Sequence, residues 1–311
     1  MATIFIDGQA GTTGIQITER LQAREDLELV YLDDSERKDP NRRQDCLQSA
    51  DISILCLPDD AAREALQLAA GQGRIIDAST AHRIDPSWAY GLPELNAQTR
   101  ANIKTASRVS NPGCYPQGFI LSIRPLIDNG LLEPASLLRC HAVSGYSGGG
   151  RQMIETQQEF SDAQQDSLNS QVYGLDLQHK HVPEMQVFSG LQQKPIFSPT
   201  VAHYYQGMVV QIPLFLAELN VNTATDVHQC LSDSYAQEKF IDVLPMGFEM
   251  TNNGFLNATA CNDTNKVELM VFANDEQLLI VSRYDTLGKG AAGAAVQNLN
   301  LMLGIDEGVS L

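Results

Sequence analysis

The chain opens with a strand, a glycine-rich turn and a helix in direct succession, and that order restricts its fold more than any other stretch. Ala2-Thr3-Ile4-Phe5-Ile6 is apolar and β-prone. Gly8-Gln9-Ala10-Gly11-Thr12-Thr13-Gly14 follows, and residues 15–21 have the spacing of an amphipathic helix. Glycines between a strand and a helix allow a tight turn and close backbone approach, and the first N–H groups of the helix then face a phosphate. The spacing is Gly-x-x-Gly-x-x-Gly rather than the commoner Gly-x-Gly-x-x-Gly, but the physics is the same. A plain strand-to-helix turn has similar glycines. Directly after the first strand, the stronger reading is a dinucleotide site with Gly8, Gly11, Thr12, Thr13 and Gly14 as contacts.

The next segments extend the pattern. Residues 27–32, 52–57 and 74–77 read as buried strands, and a helix is expected from Asp59 to Ala70. The polar stretch from Asp33 to Gln44 reads as a connection. Alternating strands and helices with continuous apolar strand runs predict an α/β unit with a Rossmann-type doubly wound parallel sheet. After Cys114 the texture changes. Residues 137–143, 208–212 and 267–272 read as strands separated by longer segments, which predicts an α+β domain with a mixed or antiparallel sheet. Residues 290–303, rich in Ala and Asn, read as a closing helix that packs back on the nucleotide domain. The Gln-rich stretch 157–171 reads as a surface helix or loop.

Composition narrows the function classes. A chain of 311 residues accommodates two domains, and 43% hydrophobic content suffices for a core. The formal charge of −17 argues against nonspecific nucleic-acid binding, which needs a basic face. A local cluster of cations can still attract an anionic substrate. No apolar run reaches the roughly 18 residues of a membrane span, and no signal-peptide pattern is present, so neither membrane nor secretion is expected. Six scattered cysteines without a Cys-x-x-Cys pair fit neither a disulfide framework nor zinc, and point to the reducing cytoplasm.

One of those cysteines carries the chemistry. Ser110-Asn111-Pro112-Gly113-Cys114-Tyr115-Pro116-Gln117 sets Cys114 in a turn followed by an apolar run. The thiol is expected at the N-terminus of a helix, where unpaired N–H groups favour the thiolate nucleophile. A base must serve it, and His179-Lys180-His181-Val182-Pro183-Glu184 offers two imidazoles whose roles are interchangeable on sequence alone. Ser144-Gly145-Tyr146-Ser147-Gly148-Gly149-Gly150-Arg151 ends a strand in a glycine-rich cradle with a cation, suited to phosphate or carboxylate. After the second strand the cofactor signals conflict. Asp33 and Asp34 suit the ribose hydroxyls of NAD, whereas Ser35, Arg37, Lys38, Arg42 and Arg43 suit the 2′-phosphate of NADP. The basic residues favour NADP, with Ser35 and Arg37 as contacts.

These pieces, together with Tyr90-Gly91-Leu92-Pro93-Glu94-Leu95 and Lys289-Gly290-Ala291-Ala292-Gly293, resemble the N-acetyl-gamma-glutamyl-phosphate reductases, in the shorter branch of that family. They run in family order through nearly the whole chain. The resemblance implies NADPH-dependent reduction of N-acetyl-glutamyl 5-phosphate to the semialdehyde in arginine biosynthesis, with release of phosphate. It implies Cys114 as the nucleophile of a thioacyl intermediate and His181 as the catalytic histidine. It implies a Rossmann NADP domain over residues 1–113, completed by a C-terminal helix within 286–311. A catalytic and dimerisation domain of the semialdehyde dehydrogenase type would span 114–285, in a homodimer or homotetramer. Arg151, Ser147 and Glu184 are the expected substrate contacts, and no metal is expected.

Two departures from the family pattern stand out. Asp77-Ala78-Ser79-Thr80-Ala81-His82-Arg83 varies a family segment and introduces His82, read here as lining the cofactor cleft. The glycine loop before Arg151 also differs from that of the longer branch. Alternatives are a related reductase of aspartyl phosphate or a carrier-linked aminoadipyl phosphate, and, more remotely, a nucleotide-binding regulator without catalysis.

Overall fold

The computed structural model describes residues 1–33, 35–159 and 169–311. The chain forms two compact units, residues 1–113 with 291–311, and residues 114–290.

The first unit runs β1 (Ala2–Asp7), α1 (Thr12–Leu21), β2 (Leu27–Val30), α2 (Pro40–Ser49), β3 (Ile52–Leu55), α3 (Asp59–Ala69), β4 (Arg74–Asp77), β5 (Ala89–Tyr90), α4 (Ala97–Thr105) and β6 (Arg108–Ser110). Its six strands are all parallel, in the order β2-β1-β3-β4-β6-β5. The period of two along β1 sends side chains to both faces. Ile4 and Ile6 pack with Ile17, Leu21, Ile103, Val296 and Leu299. Phe5 packs on the other face with Leu47, Leu55, Ala62, Ala65 and Ala69. Helices therefore cover both faces, as a parallel sheet requires.

The polar stretch read as a connection contains the start of α2. Pro40 occupies its first turn, and the Asp39 carboxylate caps it by accepting from the Asn41 N–H. Only Arg43 and Leu47 of α2 are buried, so the helix has almost no apolar stripe to betray it. The closing helix, Gly293–Leu303, belongs to this unit, whereas residues 286–290 group with the second. Its amides are buried and bonded. Asn298 Nδ2 donates to the Gly91 carbonyl at 2.9 Å and to Asn111 Oδ1 at 3.1 Å, and Gln297 Nε2 donates to Glu94 Oε1 at 2.8 Å.

The second unit begins with α5 (Cys114–Asp128) and continues through β7 (Arg139–Gly145), α6 (Gly150–Glu159), β8 (Ser170–Val172), α7 (Val182–Ser189), β9 (Ile196–Ala202), β10 (Met208–Phe215), α8 (Ala224–Tyr235), β11 (Ile241–Val243), β12 (Val267–Ala273) and β13 (Gln277–Tyr284). Its seven strands lie in the order β11-β12-β13-β10-β7-β9-β8. The pairs β7–β9 and β11–β12 are parallel and the others antiparallel, so the sheet is mixed. Of the Gln-rich stretch, residues 160–168 lie outside the described residues. Residues 157–159 end α6, where Gln157 is buried and bonded to His203 at 2.7 Å.

One ion pair sits at the carboxyl end of β1. Arg43 Nη2 lies 3.0 Å from Asp7 Oδ2, with side-chain exposures of 8% and 6%, and Arg43 Nη1 reaches Glu64 at 2.9 Å. Burial pushes the Asp7 carboxyl above its ordinary value despite the guanidinium. Arg43→Met leaves that carboxyl without its buried cation and is expected to lower the unfolding free energy by about 3 kcal/mol. Urea denaturation at neutral pH measures this, and an unchanged midpoint would contradict it.

Candidate active site

In the first unit the glycine loop spans β1 and α1. Gly8 has φ +92°, and a Cβ there would lie 2.3 Å from the Cys56 carbonyl oxygen, so only glycine fits. Gly11 is the N-cap of α1 and has no side chain with which to cap the helix, and Thr12, Thr13 and Gly14 form its first turn. Those terminal N–H groups face outward for an acceptor. Asp7 to Gly11, Leu32, Arg37, Lys38 and Cys56 to Pro58 line a cavity of about 320 Å³. Gln9 Nε2 ties the loop to the end of β2 by donating to the Leu32 carbonyl at 2.9 Å.

The charges after β2 sort by their partners. Asp33 Oδ1 accepts from the Ser35 hydroxyl at 2.6 Å, the Ser35 N–H at 2.8 Å and the Glu36 N–H at 3.0 Å. The Ser35 hydroxyl and these amides hold the Asp33 carboxyl below the usual range. Asp33 therefore organises the turn that carries Arg37, and the Ser35 hydroxyl proton is committed to it. Asp34 lies outside the described residues. Arg42 pairs with Glu36 and Arg43 with Asp7, so of the four basic residues Arg37 and Lys38 are the two that line the cavity. His82 is anchored in this unit. Its Nδ1 lies 2.6 Å from the fully buried Asp77 carboxylate, and its ring stacks on Trp88 at 4.5 Å.

In the second unit Cys114 is the first residue of α5 and is half-buried. Tyr284, fully buried on β13, donates its hydroxyl to the Cys114 carbonyl at 2.7 Å and accepts from the Gly118 N–H at 3.1 Å. Gln117 Nε2 donates to the Lys289 carbonyl at 2.7 Å, in the π-helical turn Gly288–Ala292.

Tyr115 links α5 to the histidines. Its hydroxyl lies 2.7 Å from Ser144 Oγ and accepts from the Tyr173 hydroxyl at 3.2 Å. Its ring centroid lies 6.2 Å from that of His179 and 6.0 Å from that of His181. The two imidazoles are 4.7 Å apart, and the structure distinguishes them. His179 packs edge-on against Tyr173 and Phe197, and its Nδ1 accepts the His181 backbone N–H at 3.2 Å. Burial, reinforced by Lys180 and opposed by Asp176, pushes His179 down to about 4, so it is neutral at pH 7. His181 is the N-cap residue of α7 and is buried, with Glu184 buried in the first turn that follows.

The remaining sequence candidates lie on the loop after β7. Ser147 is buried, and its Oγ has no hydrogen-bond partner among the described residues. Arg151 is exposed and pairs with Glu155 at 2.6 Å along α6. Cys114, Tyr115, His179 and His181 are thus one cluster, with Ser144 joined to it. Sequence reasoning overlooked Tyr115, Tyr173 and Tyr284. Tyr115 neighbours Cys114 and was within reach, but Tyr284 sits at a strand end outside any motif.

Comparison with known proteins agrees with this geometry. The family model "Semialdehyde dehydrogenase, NAD binding domain" matches residues 3–103, and "Semialdehyde dehydrogenase, dimerisation domain" matches residues 114–286. "N-acetyl-gamma-glutamyl-phosphate reductase 2" of Nostoc sp. is 49% identical, over 99% of this chain and 98% of that protein. The protein of the same name from Pseudomonas putida is 48% identical, over 97% and 96%. "N-acetyl-gamma-glutamyl-phosphate reductase" of Brucella suis is 47% identical, over 97% and 98%. Among solved structures, the aspartate semialdehyde dehydrogenase of Francisella tularensis superposes with a TM-score of 0.75 over 97% of this chain and 100% of that one. At 15% identity it speaks for the fold alone. With both domain models matched in order and such identity to these reductases along nearly its full length, the chain belongs to the N-acetyl-gamma-glutamyl-phosphate reductase group of the semialdehyde dehydrogenase family.

Proposed function

We propose that the protein reduces N-acetyl-glutamyl 5-phosphate to N-acetyl-glutamate 5-semialdehyde with NADPH, releasing phosphate, as a step of arginine biosynthesis. The observation that carries this reading is Cys114 opening a buried helix, with Tyr115 beside it packed on His179 and His181. The names of the relatives supply the substrate.

The chemistry follows from the residues. The Cys114 thiolate attacks the acyl carbon; a C–S bond forms, the C–O bond to phosphate breaks, and phosphate leaves. The thioester is then reduced to a thiohemiacetal, for which the bound nicotinamide supplies the hydride. His181 carries the proton to the thiohemiacetal oxygen and takes it back as the C–S bond breaks and the aldehyde departs. His179 is the less suited of the two, because its Nδ1 accepts the His181 backbone N–H and burial disfavours its protonated form. Ser147, Glu184 and Arg151 are the substrate contacts in this reading. The partnerless buried hydroxyl of Ser147 supports it, and so does the exposed guanidinium of Arg151 at the start of α6.

The fit of the cofactor rests on the cradle at Gly8 and the N–H groups after Gly11. Gly8, Gly11, Thr12, Thr13 and Gly14 hold the pyrophosphate. Ser35, Arg37 and Lys38 are the residues that would hold the 2′-phosphate of NADP. The two cations on the cavity wall, Arg37 and Lys38, support NADP over NAD. A match to a dimerisation domain supports a homodimer or homotetramer, and six free cysteines fit a reducing cytoplasm.

Phosphate-dependent reduction of NADP with N-acetylglutamate semialdehyde tests the reaction. Activity is expected in the wild type and absent in Cys114→Ala; no activity in the wild type, or activity with aspartate semialdehyde instead, rejects the substrate. Arg37→Ala is expected to raise KM for NADP about tenfold while leaving that for NAD within twofold, a loss of roughly 1.4 kcal/mol of phosphate binding. Equal effects on both cofactors would reject the 2′-phosphate role. The neutral His179 also makes stability depend on pH. Its folded value near 4 is below the unfolded 6.5, so the unfolded chain binds the extra proton between them. Its contribution is complete above the unfolded value and is lost as pH falls toward 4. Melting temperature should therefore fall between pH 7 and 4, and His179→Leu should flatten that slope; a slope unchanged by the substitution contradicts the assignment.

A further inference from the structure

His181 has φ −86° and ψ −14°, although it is the N-cap of α7, a place where the backbone is ordinarily extended. Those dihedrals belong to the third position of a type I turn. The main chain closes that turn, since the Val182 N–H donates to the His179 carbonyl at 2.9 Å. The first residue of such a turn is commonly Asp or Asn, whose side chain accepts the N–H two residues on. Here the first residue is His179, and its Nδ1 accepts the His181 N–H at 3.2 Å. We propose that His179 is a positioning residue that closes this turn with its ring and so fixes the backbone from which the His181 imidazole projects. This role rests on the reading of His181 as the proton carrier.

The entry to α7 creates the demand. The first N–H groups of a helix have no acceptor within it. His181 and Val182 present two of them and Pro183 presents none. His179 takes both, one on its carbonyl and one on its ring. The ring is itself held in place. Its centroid lies edge-on at 5.1 Å from Phe197 and at 5.6 Å from Tyr173, and 4.7 Å from that of His181. An imidazole accepts at Nδ1 only when that nitrogen carries no proton, so the proton of His179 resides on Nε2. Burial, with Lys180 acting in the same direction and Asp176 against it, keeps the ring neutral at pH 7 and leaves the Nδ1 lone pair available. The acceptor thus stands on a ring packed against β9 and the segment at Tyr173, rather than on a short side chain free to rotate. A misplacement of a catalytic group by about 1 Å can cost on the order of 100-fold in rate.

His179→Asn keeps an acceptor for the His181 N–H, because an Asn side chain at the first position closes the same turn, whereas His179→Leu keeps apolar bulk and offers none. His179→Leu is expected to lower kcat about tenfold with substrate KM within about threefold, the pattern of lost alignment rather than lost binding. His179→Asn is expected to recover kcat to within about threefold of the wild type, since it restores the bond without the ring. Exchange of the His181 amide proton, which needs no substrate, is expected to quicken in His179→Leu and to return toward the wild-type rate in His179→Asn. Wild-type kcat in His179→Leu overturns the proposal, as does an equal loss of kcat in both variants, or a loss in His179→Leu carried by KM alone. Should the variants not fold, the wild type still decides. In nitrogen-labelled protein, a scalar coupling between the His181 amide nitrogen and His179 Nδ1 supports the proposal, and a proton on His179 Nδ1 at pH 7 excludes it. If the wild type lacks turnover with the acyl phosphate, the substrate reading fails, while amide exchange and the coupling still judge the bond from His181 to His179.

Discussion

The helix that begins at Cys114 is buried along most of its length, so the polar groups of that stretch look for partners inside the protein rather than in water. That constraint organises the second unit. The Ser122 hydroxyl turns back to the Gly118 carbonyl, the Tyr235 hydroxyl from α8 reaches the Leu121 carbonyl at 2.7 Å, and Gln117 reaches the turn at Lys289. Exposed helices leave such groups to water, whose positions fluctuate. A helix satisfied by side chains from a strand, a second helix and a turn has one position. Cys114 at its head inherits that position.

Electrostatics follow a similar economy. The chain is strongly acidic, yet the cavity beside the glycine loop is lined by Arg37 and Lys38. Two acids of this unit, Asp33 and Asp7, have partners of their own among the described residues. Asp33 accepts from the turn it caps, and Asp7 is paired with Arg43 beneath the loop. An anionic cofactor thus meets two cations and a helix N-terminus rather than the average charge of the surface. Net charge describes solubility and partners at a distance, while the site depends on which carboxylates are already engaged.

Much of this was legible in the residues. Strand runs whose side chains enter both cores, such as Ile4-Phe5-Ile6, announce a parallel sheet, and the glycine loop marks its ligand edge. The octapeptide around Cys114 marks the head of α5. What periodicity cannot reveal is a helix with no apolar stripe, which is why α2 was hidden in a polar stretch. Its signals were Asp39 and Pro40, a capping pair rather than a pattern. Counting cations after β2 also misleads, because Arg42 and Arg43 are neutralised by Glu36 and Asp7, partners six and thirty-six residues away. Tyr284 lies 170 residues from the carbonyl it holds, and no local rule connects them.

The two histidines make the same point at closer range. Two residues apart and chemically identical, they are separated in role by what surrounds them. His179 is boxed by Tyr115, Tyr173 and Phe197, with one nitrogen committed to the main chain of its neighbour. A ring so held loses the charged form, because an imidazolium would lose the acceptor at Nδ1 as well as its hydration. It also spares His181 an adjacent cation 4.7 Å away. The aromatic box is therefore what makes the two imidazoles unequal.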